Sequence, residues 1–276
     1  MHNQISHSYE DQVAKAFSSQ SAIFDKLYEG DLIIQYKRER VRAHLLKLLK
    51  QGSTILELNA GTGEDAVYLA ERGFPVHAID ISPGMQRELE KKITDRNLSG
   101  SVTYEKCSFT KLEELKNKGP YDCIFSNFAG LNCTGDLKKV LGSFEPLLNA
   151  EGIVVLVILP GFCLWEILFL LRGKFKTATR RFFSSKGRLA FVEGIPFLCW
   201  YYSPGFLKQF VRDKYFQFET EGLCTIVPPS YVEKFAEKHR LWFRRLSALE
   251  NRFKNRWPWK NIGDYYIISF RKKSGV

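Results

Sequence analysis

The sequence predicts an α/β fold in which helices cover both faces of a doubly wound, mostly parallel sheet of seven strands. Three observations carry this prediction. Short apolar runs alternate with segments of helical periodicity, as in strand–helix–strand units. A turn of small residues, 59–63, follows the first apolar run. The second run ends in Asp80, 23 residues after Glu57 of the first, and an acid there can accept hydrogen bonds from a ribose.

Residues 1–50 are predicted to be helical and to lie as a flap across the nucleotide end of the sheet. A short helix is predicted at residues 9–17 and a longer one at residues 32–50, where apolar side chains recur at helical spacing. Tyr36 and Arg38 on the longer helix are candidates to face a carboxylate of the ligand. The alternative is that both side chains belong to a solvated helix face.

Residues 51–160 are predicted to form the nucleotide-binding core. Strands separated by helices of these lengths pair in parallel. One helix has a clear start, since Ser82 is a good N-cap and Pro83 suits the first helical position. Strands are predicted at residues 55–58, 76–81, 102–107, 121–126 and 153–159, and helices at residues 65–72, 85–97, 112–116 and 137–148.

The alternation of strands and helices stops after the fifth strand. Residues 161–215 are aromatic and basic and are predicted as a helical insertion that covers the substrate, while residues 216–276 complete the sheet. The last segment is predicted to contain strands at residues 216–224 and 265–270, with a helix at residues 231–239 between them. The candidates to line the substrate space are Trp165, Phe169, Phe182, Trp200 and Tyr201. The alternative is that these aromatic side chains form the insertion's own core.

Positive charge is concentrated in the C-terminal part of the chain, whose 276 residues have a formal net charge of +11. Residues 1–171 hold 19 Lys and Arg against 22 Asp and Glu, whereas residues 172–276 hold 22 against 8. This asymmetry predicts an anionic partner, namely a substrate, a membrane surface or nucleic acid, with a merely solvated basic surface as the alternative. The candidates to meet an anionic substrate or lipid headgroups are Arg172, Lys174, Lys176, Arg180 and Arg181.

The composition argues against a metal centre and a membrane-spanning helix. The six cysteines form no CxxC pair and no Cys/His cluster with zinc spacing. The polar N-terminus lacks the apolar core of a signal peptide, so we expect reduced thiols and a cytoplasmic protein. The most apolar window, residues 153–171, contains Pro160 and Glu166, whereas about 20 unbroken apolar residues are needed to span a bilayer. Peripheral contact with a membrane is left open.

The order of these motifs resembles that of the class I S-adenosylmethionine-dependent methyltransferases, in the branch that includes quinone and other small-molecule methyltransferases. Residues 56–63, Leu-Glu-Leu-Asn-Ala-Gly-Thr-Gly, are similar to that family's first motif. The resemblance covers about residues 20–160. Asn59 stands where glycine is usual, and asparagine tolerates left-handed backbone angles better than other non-glycine residues. The resemblance implies a Rossmann-like methyltransferase fold and S-adenosyl-L-methionine as the cofactor.

The resemblance also implies which residues hold the cofactor. Glu57 corresponds to the acid that helps to hold the methionine end, and Asp80 to the acid that binds the ribose hydroxyls. Ser108 stands where the family commonly has an acid that contacts the adenine amino group, and its hydroxyl would be a weaker acceptor. The implied cofactor-binding residues are Glu57, Asn59, Ala60, Gly61, Gly63, Asp80, Ile81, Met85, Ser108, Phe109, Asn127 and Phe128.

The predicted reaction is methyl transfer to a small acceptor that is apolar, aromatic or lipid-like, with O-methylation favoured. In-line displacement from a sulfonium mainly requires alignment of the reactants and exclusion of water. A hydroxyl acceptor also gains from a base. The candidate catalytic residues are Asn127, Tyr201 and His239.

Other functions agree with parts of the sequence. Gly61-x-Gly63-x-x-Ala66 satisfies the dinucleotide fingerprint of nicotinamide enzymes. Glu57 argues against that function, because it would place like charge beside a pyrophosphate. Methylation of RNA or protein suits the basic half, but residues 126–129 lack the Asn/Asp-Pro-Pro-aromatic motif of the enzymes that methylate amino groups of bases or glutamine. A non-catalytic protein that binds S-adenosylmethionine is the last alternative.

Overall fold

A seven-stranded sheet forms the centre of the protein, and a two-stranded ribbon is separate from it. The computed structural model describes residues 2–173, 175–182, 184–232 and 234–273. The strands are β1 Ile55–Leu58, β2 Val76–Asp80, β3 Val102–Lys106, β4 Tyr121–Ser126, β5 Leu148–Ile158, β6 Arg188–Val192, β7 Ile195–Cys199, β8 Tyr215–Leu223 and β9 Tyr265–Lys272. The helices are α1 His2–Glu29, α2 Leu32–Leu48, α3 Glu64–Ala70, α4 Pro83–Asp95, α5 Leu137–Gly142, α6 Leu164–Leu168, α7 Phe175–Thr179, α8 Pro204–Val211, α9 Phe235–Lys238 and α10 Arg240–Phe253.

The large sheet is mostly parallel, with the strand order β3-β2-β1-β4-β5-β9-β8. β1 pairs in parallel with both β2 and β4, so the strand order reverses between β1 and β4. β9 is antiparallel to its two neighbours, β5 and β8. The prediction of a doubly wound sheet of seven strands, mostly parallel, is confirmed.

The reversal of strand order positions the predicted site residues. In the paired registers Leu58 of β1 lies opposite Ile79 of β2 and Ser126 of β4. The residues that directly follow these three positions therefore meet at the same edge of the sheet. A crevice at this reversal is where open α/β sheets bind ligands.

Apolar layers cover both faces of the sheet. Ile55 of β1 packs into one layer, and Leu56 and Leu58 pack into the other. Strands that are buried on both faces are expected to be continuous apolar runs. Glu57 interrupts this run although it too is buried. Because burial of a carboxylate is costly, its presence indicates a role other than packing.

The N-terminal segment is more helical than the sequence predicts. α1 is one continuous helix over His2–Glu29, instead of a short helix at residues 9–17. Tertiary contacts stabilise it, because the ring of Phe17 lies 5.7 Å from that of Phe197 and the hydroxyl of Ser18 bonds to that of Ser82 at 2.7 Å. α2 begins as predicted at residue 32 and ends two residues early, at Leu48.

The helix before β5 ends earlier than predicted, and β5 itself begins earlier than predicted. The sequence predicts a helix throughout residues 137–148, but α5 ends at Gly142 and a 3-10 turn follows at Glu145–Leu147. Pro146 in this turn lacks the N–H that a continuing α-helix would donate. β5 therefore begins at Leu148, five residues before its predicted start.

The C-terminal part differs from the prediction in its helices. The helix predicted at residues 231–239 is shortened to α9, and the longer α10 follows it, which the sequence pattern did not indicate. Buried contacts hold α10, since Glu250 accepts hydrogen bonds from the N–H groups of Cys224 and Val227. The predicted insertion, 161–215, contains α6, α7, α8 and the β6–β7 ribbon. Within the described ranges, every helix is too short or too polar to cross a membrane.

Candidate functional site

A cavity of about 250 Å³ lies at the carboxyl edge of the sheet, between the ends of β1, β2 and β4 and a cover made of α1 and β7. The strand ends contribute Glu57, Asn59, Ala60, Gly61, Asp80, Ile81, Asn127 and Phe128 to its walls. The cover contributes Val13, Ala14, Phe17, Phe24, Phe197 and Cys199. Met85 and Phe109 also line it. Of the implied cofactor-binding residues, Gly63 and Ser108 are the two that the structure does not place in its walls.

The turn between β1 and α3 requires left-handed backbone at three positions. Asn59, Gly61 and Gly63 have φ of 48°, 57° and 78°. A Cβ at Gly63 would lie 2.1 Å from a methyl of Leu89, so glycine is required there by conformation and by packing. Gly63 therefore shapes the turn without lining the cavity.

The side chain of Asn59 connects the turn to the end of β4. Its amide nitrogen donates to the carbonyl of Asn127 at 3.0 Å, and its amide oxygen accepts from the hydroxyl of Ser126 at 2.6 Å. A Cβ on Gly130 would collide with this amide. The residue that departs from the family motif thus fixes one strand end against the other.

Glu57 is the buried acid of the site. Its side chain lines the cavity, only 3% of the residue is exposed, and Oε2 has no hydrogen-bond partner within the described chain. Burial raises the pKa of this carboxyl well above its usual value, and nearby Asp65 raises it further, against the opposing effects of Arg42 and Arg38. Among the described residues, no Lys or Arg lies within 4.0 Å of this carboxyl as an ion-pair partner, although Arg38 lines the same cavity.

Asp80 is held rigidly at the end of β2. One carboxylate oxygen accepts from the N–H of Gly61 at 2.9 Å, and the other from the N–H of Ser82 at 2.8 Å. Burial raises the pKa of Asp80, while these two hydrogen bonds lower it. Each oxygen keeps acceptor capacity for a ligand hydroxyl in the cavity.

Asn127 lines the cavity, but both ends of its amide bond to the protein. The nitrogen donates to Asp65 at 2.7 Å, and the oxygen accepts from the N–H of Phe128 at 2.7 Å. Asp65 is in turn bound by Arg42 at 2.6 Å. Phe128 and Ala129 have φ of 46° and 60°, which is strained for these residues. The loop after β4 is therefore tightly constrained, and Asn127 holds its shape.

The two candidates on α2 have different environments. Arg38 lines the cavity, with its guanidinium 5.3 Å from the centroid of Phe128 and 3.0 Å from Glu64. Tyr36 donates to buried Glu250 at 2.9 Å and accepts from Arg40 at 2.8 Å. Tyr36 therefore belongs to a buried network that ties α2 to α10, and it is neither solvated nor in the cavity wall.

Ser108 lies outside the cavity wall. Its hydroxyl donates to Glu10 of α1 at 3.0 Å, in a second cavity of about 50 Å³. The two cavities share four lining residues, namely Val13, Ile81, Phe109 and Cys133. The acid beside Ser108 is therefore Glu10 of α1. Because Glu10 is distant from Ser108 along the chain, the spacing of residues in the sequence does not indicate this contact.

The cover consists of two elements pinned together. The hydroxyl of Tyr9 on α1 donates to the carbonyl of Leu198 on β7 at 2.7 Å and accepts from its N–H at 3.1 Å. The rings of Phe17 on α1 and Phe197 on β7 also pack together, with their centroids 5.7 Å apart. The sequence predicts a flap from the N-terminal residues but does not indicate that β7 contributes to the cover. No local sequence pattern relates α1 to β7.

The aromatic residues predicted to line the substrate space pack elsewhere. Trp165 donates to the carbonyl of Thr225 at 3.0 Å, and Phe169 packs on Tyr231 at 5.8 Å between ring centroids. Trp200 packs edge-on against Tyr9. Phe182 and Tyr201, like these three, are not among the described residues that line the cavity. Thr225, Tyr231 and Tyr9 lie outside residues 161–215, so Trp165, Phe169 and Trp200 dock the insertion on the rest of the protein and do not form a core of its own.

The candidate bases Tyr201 and His239 also lie away from the cavity wall. Tyr201 stacks under the guanidinium of Arg181 at 5.4 Å, and burial raises its pKa to about 12. His239 is exposed at the junction of α9 and α10, with its ring 5.3 Å from that of Phe235. Neither is among the described residues that line the cavity, although Cys199, two residues before Tyr201, does line it.

Tyr265 is the polar aromatic residue that the sequence analysis missed. It begins β9, lines the cavity, and packs edge-on against Phe128 at 6.4 Å. Buried Lys37 lies with its ammonium 4.8 Å from the centre of the Tyr265 ring. Burial raises the pKa of Tyr265 to about 12 although Lys37 lowers it. The phenol is therefore neutral near pH 7 and can exchange hydrogen bonds with a ligand.

The basic residues of the insertion are partly neutralised. Arg181 is buried and bonds to Glu166 at 2.6 Å and to Asp264 at 2.7 Å, and Arg180 also bonds to Glu166. Lys176 is exposed. Lys174 and the side chain of Arg172 lie outside the described parts. Arg181 thus joins α6 to Asp264, just before β9, and is not available to an anionic partner as predicted. Arg180 pairs within the insertion, and its side chain is 44% exposed.

Among the residues that the structure describes, two clusters of potential metal ligands lie outside the cavity wall: His44, Glu219 and Glu221, and Cys163, Glu166 and Asp264. In the first, Glu221 is paired with Arg40 at 3.0 Å and with Lys254 at 2.9 Å. In the second, Arg181 bonds to both acids. Because protein cations already neutralise these carboxylates, both clusters are structural ion-pair networks.

Comparison with known proteins identifies the domain that carries the cavity. Residues 55–152 match a family model described as a methyltransferase domain. This range begins at β1 and ends within β5, so it includes the glycine turn, Asp80 and Asn127. The N-terminal cover and the segment after β5 lie outside the match.

Two curated proteins match the chain. An uncharacterised protein of Methanocaldococcus jannaschii is 28% identical over 67% of this chain and 64% of its own length. Human glycine N-methyltransferase is 27% identical over 48% of this chain and 49% of its own length. The chain thus spans between half and two thirds of these relatives.

Solved structures share the fold over nearly the whole chain. A Burkholderia thailandensis 1,6-didemethyltoxoflavin N1-methyltransferase, solved with 1,6-didemethyltoxoflavin and S-adenosylhomocysteine, superposes with a TM-score of 0.57 and 15% identity. The superposition includes 97% of this chain and 90% of the Burkholderia thailandensis chain. At this identity the likeness establishes the fold, including the segments outside the matched domain.

Proposed function

We propose that this chain, which belongs to the class I S-adenosylmethionine-dependent methyltransferases, binds S-adenosyl-L-methionine in the main cavity and transfers its methyl group to a small-molecule acceptor. Glu57 carries the proposal. Its carboxyl lines the cavity wall, one of its oxygens is buried without a protein partner, and burial holds its pKa well above the usual value. A ligand cation beside this carboxyl would favour its ionised form and pair with it. The ammonium group of the methionine moiety would be such a cation.

The other wall residues suit the remaining parts of the cofactor. Arg38 supplies a cation for the carboxylate of the methionine moiety, and Asp80 supplies acceptors for two ribose hydroxyls. Ile81 and Met85 supply apolar surface for the adenine. A nicotinamide dinucleotide suits this site poorly, because its pyrophosphate would lie beside the carboxylates of Glu57 and Asp80.

The cover supports a small acceptor with apolar or aromatic surface. Phe17, Phe24 and Phe197 enclose the cavity on the side opposite the strand ends. Such a cover would exclude water from the reacting groups, and it favours an acceptor small enough to be enclosed by it. The Burkholderia thailandensis enzyme was solved with the small molecule 1,6-didemethyltoxoflavin bound, which agrees with a small-molecule acceptor on this fold.

Tyr265 is proposed to orient the acceptor, in place of the bases suggested by the sequence. When bound, the cofactor supplies an electrophilic methyl carbon on a positively charged sulfur. The Tyr265 phenol, beside Phe128 at the cavity wall, can hold a hydroxyl acceptor by a hydrogen bond. Because its pKa of about 12 keeps it protonated near pH 7, it acts by positioning the acceptor. O-methylation is the transfer that this arrangement favours.

Calorimetry with S-adenosylhomocysteine tests the cofactor site. Asp80→Ala removes the ribose acceptors and is expected to weaken binding by about 1–3 kcal/mol. The matched control is Glu105→Ala, since Glu105 lies on the neighbouring β3 and contacts His77 at 3.3 Å, outside the cavity. Wild-type affinity in the Asp80 variant, or equal losses in both variants, would contradict the assignment.

A further inference from the structure

The described residues of the stretch 168–192 form a surface that is both apolar and basic, and we call it the apolar–basic face. The stretch contains seven Lys and Arg and no Asp or Glu. Its described large apolar side chains are unusually open to solvent. Among them the four most exposed are Leu171 at 85%, Phe175 at 67%, Leu189 at 63% and Phe191 at 61%. Clustered apolar side chains of this kind mark interaction surfaces on soluble proteins.

A direct contact joins the two parts of this face. Arg188, at the start of β6, donates from Nε to the carbonyl of Arg180, just after α7, at 3.1 Å. Leu189 and Phe191 project from the same side of β6, because side chains alternate along a strand. The exposed residues of the ribbon and of the helical segment therefore belong to one region of the surface.

The β6–β7 ribbon has two different faces. In its register Phe197 lies opposite Ala190 and Cys199 lies opposite Arg188. Phe197 and Cys199 line the cavity. Leu189 alternates with these positions along β6, so it points away from the cavity. A partner on the outer face of the ribbon would thus bind directly above the cover of the proposed active site.

Cations on this face are available to a partner. Lys176 and Lys186 are exposed, and neither forms an ion pair with another residue of the described ranges. Glu166, just before the stretch, is buried by its arginine partners. Glu193, directly after the stretch, is exposed at the turn of the ribbon and accepts a hydrogen bond from Gln20 at 3.2 Å. The exposed charge of this face is therefore mostly positive, with one acid at its edge.

We propose that the apolar–basic face docks on the surface of an anionic lipid membrane. Leucine and phenylalanine side chains can enter the interface while lysines meet acidic headgroups, and the two contributions reinforce each other. Charge complementarity favours this partner over a second copy of the chain. A symmetric dimer through this face would bring like charges together. The inference concerns a surface outside the cavity and goes beyond the proposed function.

Vesicle co-sedimentation of the full chain tests the apolar contribution. Wild type is expected to bind phosphatidylcholine vesicles that contain phosphatidylserine, and to be released by high salt. The double variant Phe175→Ser/Phe191→Ser is expected to bind about tenfold more weakly. Phe216→Ser is the matched control, since Phe216 on β8 is also 61% exposed and lies outside the face.

Charge reversal tests the electrostatic contribution. Lys176→Glu/Lys186→Glu is expected to weaken binding to the acidic vesicles by about tenfold or more. Lys91→Glu/Lys118→Glu makes the same change in net charge at exposed lysines elsewhere and is expected to bind like wild type. All variants are expected to keep wild-type affinity for S-adenosylhomocysteine, which separates this test from that of the proposed function.

Three results would overturn the proposal. Wild type that does not bind acidic vesicles has no such docking surface. Equal losses in the face variants and in their controls would show a general effect of charge or apolarity. Concentration-dependent dimers in ultracentrifugation, abolished by Phe175→Ser/Phe191→Ser, would assign the face to a second copy, and salt-sensitive RNA binding lost in the lysine variant would assign it to nucleic acid.

Discussion

The two walls of the cavity are built on different physical principles. The strand-end wall is polar, and hydrogen bonds to the backbone fix its acceptors, as for Asp80 with Gly61 and Ser82. The cover is apolar, and it is held by the packing of Phe17 on Phe197 and by the Tyr9 hydroxyl. A directional wall can specify one cofactor, whereas an apolar cover specifies the size and shape of an acceptor.

Under the proposed function, the strand-end wall would bind the cofactor and the cover would select the acceptor. The strand ends lie inside the matched methyltransferase domain, and the cover lies outside it. Variants of the strand-end wall are therefore expected to cost stability or cofactor affinity, and variants of the cover to have smaller effects.

Gly63→Ala is expected to lower the free energy of unfolding by about 3 kcal/mol. The left-handed φ costs about 1–2 kcal/mol for a residue with a side chain, and the new Cβ would overlap Leu89 in the packed layer. Urea denaturation measures the change. Gly52→Ala is the matched control, because φ is 79° there but no atom lies within 4 Å of a Cβ. If both variants lose the same amount, packing against Leu89 contributes nothing.

Glu57→Gln is expected to weaken binding of S-adenosylhomocysteine by about 2 kcal/mol, because the ligand's ammonium loses a charged acceptor. Calorimetry measures the affinity. The stability of the ligand-free protein is expected to rise with this substitution at pH values where the wild-type carboxyl is ionised, since glutamine removes the cost of burying that charge. A variant that binds the ligand like wild type would remove the central argument for the proposed function.

The pH dependence of the free energy of unfolding shows whether ionisation of Glu57 destabilises the ligand-free protein. Its pKa is raised in the folded state, so between the usual value near 4.5 and the folded value the folded protein binds more protons than the unfolded chain. Stability of the ligand-free wild type therefore falls as pH rises through this window. The stability difference between Glu57→Gln and wild type is expected to grow in favour of the variant above about pH 4.5, and a flat difference would contradict it.

Tyr9→Phe is expected to cost about 1 kcal/mol of stability through the lost hydrogen bonds to Leu198. Hydrogen exchange at the amide of Leu198 is expected to become faster, because α1 no longer pins the ribbon. Tyr104→Phe is the control, since Tyr104 lies on β3 and bonds to Glu90. Equal exchange of the Leu198 amide in wild type and Tyr9→Phe would show that packing alone holds the cover.

Ser108→Ala is expected to change cofactor affinity by less than about 0.5 kcal/mol, because its hydroxyl bonds to Glu10 outside the main cavity wall. The family resemblance alone would assign this residue to the adenine amino group. A loss of about 1 kcal/mol or more in calorimetry would restore that assignment and would show that the ligand reaches the second cavity.

The predictions for the core succeeded where one signal was local and strong. The run from Ile55 to Leu58, the turn that follows, and the Ser82-Pro83 start of α4 each depend on neighbouring residues, and the structure confirms them. Prediction was weaker for α1, whose mostly polar sequence indicates only a short helix. Its extra turns depend on contacts with α4 and β7 that no local pattern records.

By itself the sequence determined the fold and the cofactor end of the cavity. Parallel strands place their carboxyl ends at one edge, so the spacing of Glu57, Asp80 and Asn127 was enough to bring them together. Only the tertiary structure decided what covers that edge. Phe197 and Tyr265 enter the wall from strands far along the chain, while Tyr201 and His239 turn away. Packing between distant parts of the chain places Phe197 and Tyr265 in the wall and leaves Tyr201 and His239 outside it. The residues adjacent to them in sequence do not distinguish the first pair from the second.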